Sequence, residues 1–176
     1  MLVQYLRLWT VLVSILALDQ WSKSWVVERA FELRRNPIVL IDSLEGPEAF
    51  LEFTYVTNPG AAWSLFSDYP EALTLLAGIA LASIFVFRRH LELHRNSLQF
   101  VFGAIAGGIA GNLGDRIFRD PAAVVDFIDV FLPWVEYDYP IFNVADSAIF
   151  IGAFSYLIIG FLDSKTKDNG QKNIPV

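Results

Sequence analysis

Four long apolar runs, each bounded by charge, set the pattern of this chain. The first extends from about Leu6 to Val27 and is uncharged from Leu8 to Leu18 before it meets Asp19 and Lys23. The second covers about Pro70 to Phe87 and is closed by Arg88 and Arg89. The third, about Asn96 to Gly114, carries no charge before Asp115 and is rich in glycine and alanine, which lets neighbouring helix backbones approach closely. The fourth covers about Pro140 to Leu162, with Asp146 near its start. A bilayer core of about 30 Å takes roughly 20 apolar residues to cross as a helix, and hydrocarbon offers backbone polar groups no partner outside the helix. The pattern therefore predicts four membrane-spanning helices, at about 6–27, 70–87, 96–114 and 140–162.

Between the first two runs lies a long connection with two short apolar stretches, Pro37 to Ile41 and Phe50 to Val56, separated by Ser43, Gly46 and Pro47. They read as two β-strands. A second mixed stretch, VVDFIDVFLPWVEYDYP, interleaves aromatics with acids, as expected of a segment resting among lipid headgroups. No repeat or low-complexity segment breaks the chain, so residues 1–176 read as one membrane-embedded domain, with disorder expected only in the last dozen residues. The first run lacks a convincing small-residue cleavage site after Leu16 and reads as a retained helix rather than a removed signal.

Composition agrees with a membrane as solvent: of 176 residues, 55% are hydrophobic and only 18% charged. The absence of cysteine excludes thiol nucleophiles and disulfide exchange. A net charge of -6 does not suggest nucleic acid as a partner. Where each sign falls is more informative. Arg88 to Asn96 holds three arginines against one glutamate, and the tail after Leu162 carries Lys165, Lys167 and Lys172. Both should face the cytoplasm. Asp115 to Tyr139 is predominantly acidic and should face outward, as should the connection from Glu28 to Tyr69, although Arg29, Arg34 and Arg35 alone would argue the reverse. Both termini are then expected inside.

This direction of the helices brings Asp19, Asp115, Asp126 and Asp146 to one level near the outer membrane boundary. An acid in a span is costly unless it faces a bundle interior, a wet cavity or a partner, which makes each a functional candidate. Bland readings exist for two of them. Asp19 and Lys23, at i and i+4, suit a helix-surface ion pair, and Asp115 can brace a helix end through Arg116 or Arg119. Asp126 and Asp146 differ, because no basic residue lies within four positions of either. Two carboxyls close together in a poorly solvated place cannot both ionise cheaply, so one keeps a proton and the other stays charged. Such a pair can activate water and protonate a carbonyl oxygen. Asn58, Asn112 and Asn143 are suited to steadying the carboxyls or a substrate backbone, with capping or turn formation as the plainer role, above all for Asn58 beside Pro59 and Gly60.

Other chemistries fit less well. His90 and His94 have zinc-like spacing, but the pattern is H-L-E-L-H and the loop is basic. Lys23 paired with Ser22 or Ser147 would make a serine and lysine dyad, yet Asp19 is the nearer partner of Lys23. No metal or other cofactor is expected.

The residues also resemble a known family, the bacterial lipoprotein signal peptidases, or signal peptidase II. The resemblance rests on LDQWSK (Leu18 to Lys23), TNPGAAWSLF (Thr57 to Phe66), GNLGDRI (Gly111 to Ile117), VVDFIDV (Val124 to Val130) and FNVADSAI (Phe142 to Ile149). It implies an all-α membrane fold, four transmembrane helices with a small extracytoplasmic β-sheet cradle, in the bacterial inner membrane. It further implies an aspartic endopeptidase that cuts just before the diacylglyceryl-modified cysteine of a prolipoprotein, with membrane lipids as surroundings and Asp126 and Asp146 as the catalytic pair. By the same matching Asp19, Lys23, Asn58, Gly60, Asn112, Arg116, Asn143 and Ala145 would line or brace the site, and Asp115 would be structural. Trp63 stands where the family usually has phenylalanine. From the acids alone a small proton- or ion-coupled transporter is the alternative, which would spread acids through the depth of the spans. A membrane scaffold would leave Asp126 and Asp146 unexplained.

Overall fold

A computed structural model describes residues 2–42, 48–61 and 65–172. Trp63 lies outside them. Helices α1 (Leu6–Glu28), α3 (Pro70–Val86), α4 (Asn96–Phe118) and α5 (Val144–Lys172) take up the four apolar runs, and a single turn, α2 (Ala30–Leu33), follows α1. Strands β1 (Ile38–Ile41), β2 (Leu51–Asn58), β3 (Val124–Leu132) and β4 (Tyr137–Phe142) form one antiparallel sheet in the order β1-β2-β3-β4. The chain is therefore mostly helical with a small sheet, not purely α-helical.

Helix α4 is the centre of the bundle and packs on α1, α5 and α3. Its glycines permit this. A Cβ on Gly108 would collide with the Ala145 carbonyl of α5 and come within 2.7 Å of Ile149, and one on Gly111 would strike the Asp19 carboxylate of α1. At each place only hydrogen fits. The core beneath consists of Leu8, Leu12, Ile84, Leu93, Leu98, Val101, Phe102 and Ala106. Outward-facing positions are apolar too: Trp21, Leu75, Val86, Phe150 and Leu157 are all more than 60% exposed, the reverse of a water-soluble bundle. By length and composition α4 and residues 144–165 of α5 suffice to cross a bilayer, while α3 is a shorter apolar helix.

Three expectations change. The mixed stretch from Val124, for which no strands were expected, is a hairpin, β3 and β4, joined through a 3-10 turn at Pro133–Val135, where Pro133 starts the turn and Glu136 ends it in the left-handed region (φ 47°). The fourth helix begins at Val144, not Pro140, because Tyr137–Phe142 is strand. It also continues to Lys172, into the tail expected to be disordered.

Candidate active site

Asp126 sits in β3, which pairs with β2 on one side and β4 on the other; it lies opposite Val56. Its neighbours Val125 and Phe127 pack on Val26, Leu33, Phe53 and Tyr55, fixing the strand under the helices. Asp146 lies in the first turn of α5. That turn is a capping box: the Asn143 side-chain oxygen accepts the Asp146 N–H (2.9 Å), and the Asp146 carboxylate accepts the Asn143 N–H (3.3 Å). Because Asn143 uses its oxygen for the cap, its Nδ2 must point elsewhere. It donates to Asp126 Oδ1 at 2.7 Å. One residue thus holds both carboxyls.

Each acid takes a second amide. Asn112 Nδ2 donates to Asp146 Oδ1 at 2.7 Å, and Asn58 Nδ2 donates to Asp126 Oδ2 at 3.2 Å. Asn58 also shapes the turn that follows β2, accepting the Gly60 N–H (2.9 Å) and donating to the Ala61 carbonyl (3.2 Å). Arg116 donates to the Gly60 carbonyl at 2.7 Å, while its Nε is buried without a partner among the described residues. No cation forms an ion pair with Asp126 or Asp146 among the described residues. Burial, and then the charge of Asp146, push the Asp126 carboxyl up to about 7, against the pull of the Asn58 and Asn143 hydrogen bonds.

The other two acids form a separate, charge-paired layer. Lys23, fully buried, lies 2.9 Å from Asp19 and 2.8 Å from Asp115. Arg119 donates to Asp115 at 2.7 Å, and Gln20 reaches Asp19, Asp115 and the Gly111 carbonyl. Asp19 accepts the Ala145 N–H (2.9 Å) and Asp115 the Val125 N–H (3.2 Å), so this layer ties α1 and α4 to the strand and helix that carry the other two acids. The surface ion pair expected for Asp19 and Lys23 is in fact an interior one. Of the two arginines considered for Asp115, Arg119 takes the role and Arg116 turns to Gly60. Ser22 and Ser147 donate to backbone carbonyls, of Asp19 and Asn143, and neither donates to Lys23.

A family model described as signal peptidase (SPase) II matches residues 11–162. The chain belongs to the signal peptidase II family. A lipoprotein signal peptidase of Shewanella baltica is 34% identical over 173 residues, covering 96% of this chain and 94% of the relative. One from Geobacillus thermodenitrificans is 34% identical over 145 residues, or 82% and 83% of the two chains. A bacterial membrane enzyme solved by the in meso method at 2.3 Å has a similar structure, with TM-score 0.75 and 27% identity, over 95% of this chain and 92% of that one. A second, at 1.9 Å, gives TM-score 0.63 at the same identity, over 85% and 89%.

Within this signal peptidase II chain, every residue assigned to the site from sequence falls in one connected network of helix ends, strand and turn, whereas His90 and His94 lie apart, between α3 and α4. Reasoning from sequence missed Gln20, whose contacts with two acids and a backbone carbonyl had no motif of their own to mark them. It also missed an apolar cavity of about 370 Å³ beside Asp146, walled by Val130, Leu132, Tyr139 and Phe142 of the hairpin and by Phe150 and Ile151 of α5. The stretch VFLPWVEYDYPIF shows no clean alternation that would have marked the cavity.

Proposed function

We propose that the chain removes signal peptides from diacylglyceryl-modified prolipoproteins, cutting just before the modified cysteine, with Asp126 and Asp146 as the catalytic pair. It works as one domain of four spans in the bacterial inner membrane, both termini cytoplasmic, with the sheet and site at the outer surface. The observation that carries the mechanism is the amide clamp: Asn143 bonds both carboxyls, and neither has a cationic partner among the described residues. Two acids so held share one proton. Asp126, displaced to about 7 by burial and by Asp146, is the member that keeps it.

Asp146, on the cavity wall, accepts a proton from water as the water oxygen bonds to the scissile carbonyl carbon. Asp126 gives its proton to the carbonyl oxygen, so the tetrahedral intermediate is a neutral diol and both carboxyls have exchanged charge. On collapse the C–N bond breaks, the amine leaves with the proton from Asp146, and a diol proton returns to Asp126. The products are a signal peptide with a new carboxyl and a lipoprotein with a free α-amine. The apolar cavity suits the hydrocarbon of such a substrate. The joined set of four acids favours hydrolysis over the transport alternative, which would distribute acids along the spans.

Purified Asp126→Asn and Asp146→Asn, each folded and melting no lower than the wild type at pH 6, should cleave a lipidated precursor at least about a thousandfold more slowly in a gel-shift assay. The wild type should leave an unlipidated precursor intact. Cleavage at wild-type rate by either variant removes the dyad, and equal cleavage of both precursors removes the lipid requirement.

A further inference from the structure

Lys23 is fully buried on α1 and uses three donor contacts: Asp19 Oδ2 at 2.9 Å, Asp115 Oδ2 at 2.8 Å and Asn112 Oδ1 at 2.9 Å. An ammonium has three hydrogens and accepts nothing, so it can face only the oxygen of the Asn112 amide. The NH2 of Asn112 is then turned to Asp146 Oδ1 at 2.7 Å. Among the described residues the other side-chain contact of the Asn112 oxygen is Asn143 Nδ2, at 3.1 Å, and that group also serves Asp126 and the Val125 carbonyl. Without the ammonium, that shared N–H is what remains on the oxygen side to oppose a half-turn of the Asn112 amide, which would bring oxygen against oxygen at Asp146. That arrangement is satisfied only when Asp146 carries a proton.

We propose that Lys23 is a positioning residue that acts through Asn112: it fixes the amide so that N–H groups face Asp146, and thereby keeps Asp146 the charged member of the pair. The inference rests on the dyad reading above. Lys23 touches neither Asp126 nor Asp146 and sits one residue behind the reacting groups. Its charge acts on Asp126 through space, favouring the ionised carboxyl there, whereas at Asp146 it is delivered as an orientation of the Asn112 amide. The same ammonium neutralises Asp19 and Asp115, so the layer that fastens the helices together also sets which way the dyad is polarised.

A mutant cycle tests this, with the pH dependence of kcat as the readout that a purely structural role would not move. Asn112→Asp keeps an oxygen for Lys23 but places a second one against Asp146. It should lower kcat about a hundredfold, leave KM within about threefold, and move the acidic limb of the kcat profile upward by at least about one pH unit. Lys23→Met should move the limb in the same direction. The double variant Lys23→Met/Asn112→Leu should show the same acidic limb as Asn112→Leu alone, because the path is already cut. If Lys23→Met does not fold, the Asn112→Asp profile decides. An unmoved limb in Asn112→Asp, or a limb that Lys23→Met moves further in the Asn112→Leu background, overturns the relay. Asp126→Asn and Asp146→Asn run beside it separate the two failures: if they are inactive while the limb stays put, the relay alone is wrong, and if they cleave normally, the dyad is wrong.

Discussion

Two layers of buried acids lie side by side in this molecule, and they are balanced by different means. Asp19 and Asp115 are matched with cations, Lys23 and Arg119, and their remaining oxygens take backbone and glutamine N–H groups. The hydrogen bonds to Asp126 and Asp146 among the described residues come from amides, those of Asn58, Asn112 and Asn143, and cations act on the pair only through space, Arg116 on both and Lys23 on Asp126. An amide donor eases a negative charge without cancelling it. The first layer is a fastening in which each carboxylate meets a cation, while the second holds two carboxyls without an ion-pair partner among the described residues, a repulsion that a shared proton relieves. The catalytic role proposed for the second layer rests on what that layer lacks.

The sharpest way to break the contrast is to spoil the fastening. Asp115 has both oxygens doubly occupied, Oδ2 by Lys23 (2.8 Å) and the Val125 N–H (3.2 Å), Oδ1 by Arg119 (2.7 Å) and Gln20 (3.1 Å). Asp115→Asn keeps the shape but must point an NH2 at two donors and leaves Lys23 with one carboxylate. Breaking a buried charge network in this way costs about 3–5 kcal/mol. Chemical denaturation of the detergent-solubilised protein should show that loss, with activity falling too, because the Val125 N–H held by Asp115 is next to Asp126. A loss under about 1 kcal/mol would mean that the two layers are not built differently.

These differences were only partly legible in the sequence. The apolar runs marked the helices because length and charge at the ends suffice for that. The burial of Asp19 and Lys23 was also written there, since Leu8, Leu12, Asp19, Lys23 and Val26 recur at spacings of four, seven, four and three, one face of α1. Their pairing as an i, i+4 set drew attention to the surface instead. Asp126 and Asp146 stood out for having no basic neighbour within four positions, and the space around them likewise holds no ion-pair partner among the described residues. Hidden from the sequence were the β3–β4 register and the cavity it walls, because a hairpin carrying Asp129, Glu136 and Asp138 lacks a clean alternation. The amide orientations of Asn112 and Asn143 were equally hidden, as they depend on contacts between distant segments.

A second, smaller effect separates the layers by pH. Asp126 has its carboxyl raised from 3.8 to about 7 by burial and by Asp146. A carboxyl raised on folding adds stability that is whole below its unfolded value and is lost as pH climbs through the folded one. Asp126→Asn, which cannot ionise, should therefore match the wild type near pH 4 and exceed it by on the order of 4 kcal/mol at pH 8 or above. Thermal melts across that range check it. For the enzyme itself the same titration removes the acid, so wild-type kcat should decline as pH rises past about 7. Parallel melting curves for variant and wild type at every pH would place Asp126 among the settled charges.

The smallest effect belongs to a third set of charges, which serves as the control. Beyond the cytoplasm-facing end expected for α4, Arg95 donates to both oxygens of Asp163 (2.6 and 3.2 Å) and to Glu92 (3.2 Å). On distances alone it rivals the Lys23 network. Its side chain, however, is 34% exposed, and those of its partners 44% and 55%, whereas Lys23, Asp19 and Asp115 are at 0%. Water and salt screen the exposed set, and ordering three side chains offsets most of what attraction remains. Arg95→Ala should lower the melting temperature by about 2 °C or less, leave precursor cleavage unchanged, and show even less effect at high salt. A larger drop would mean that hydrogen-bond geometry, and not removal from water, decides which of these networks the fold depends on, and the distinction between the two buried layers would then have to be sought in their donors alone.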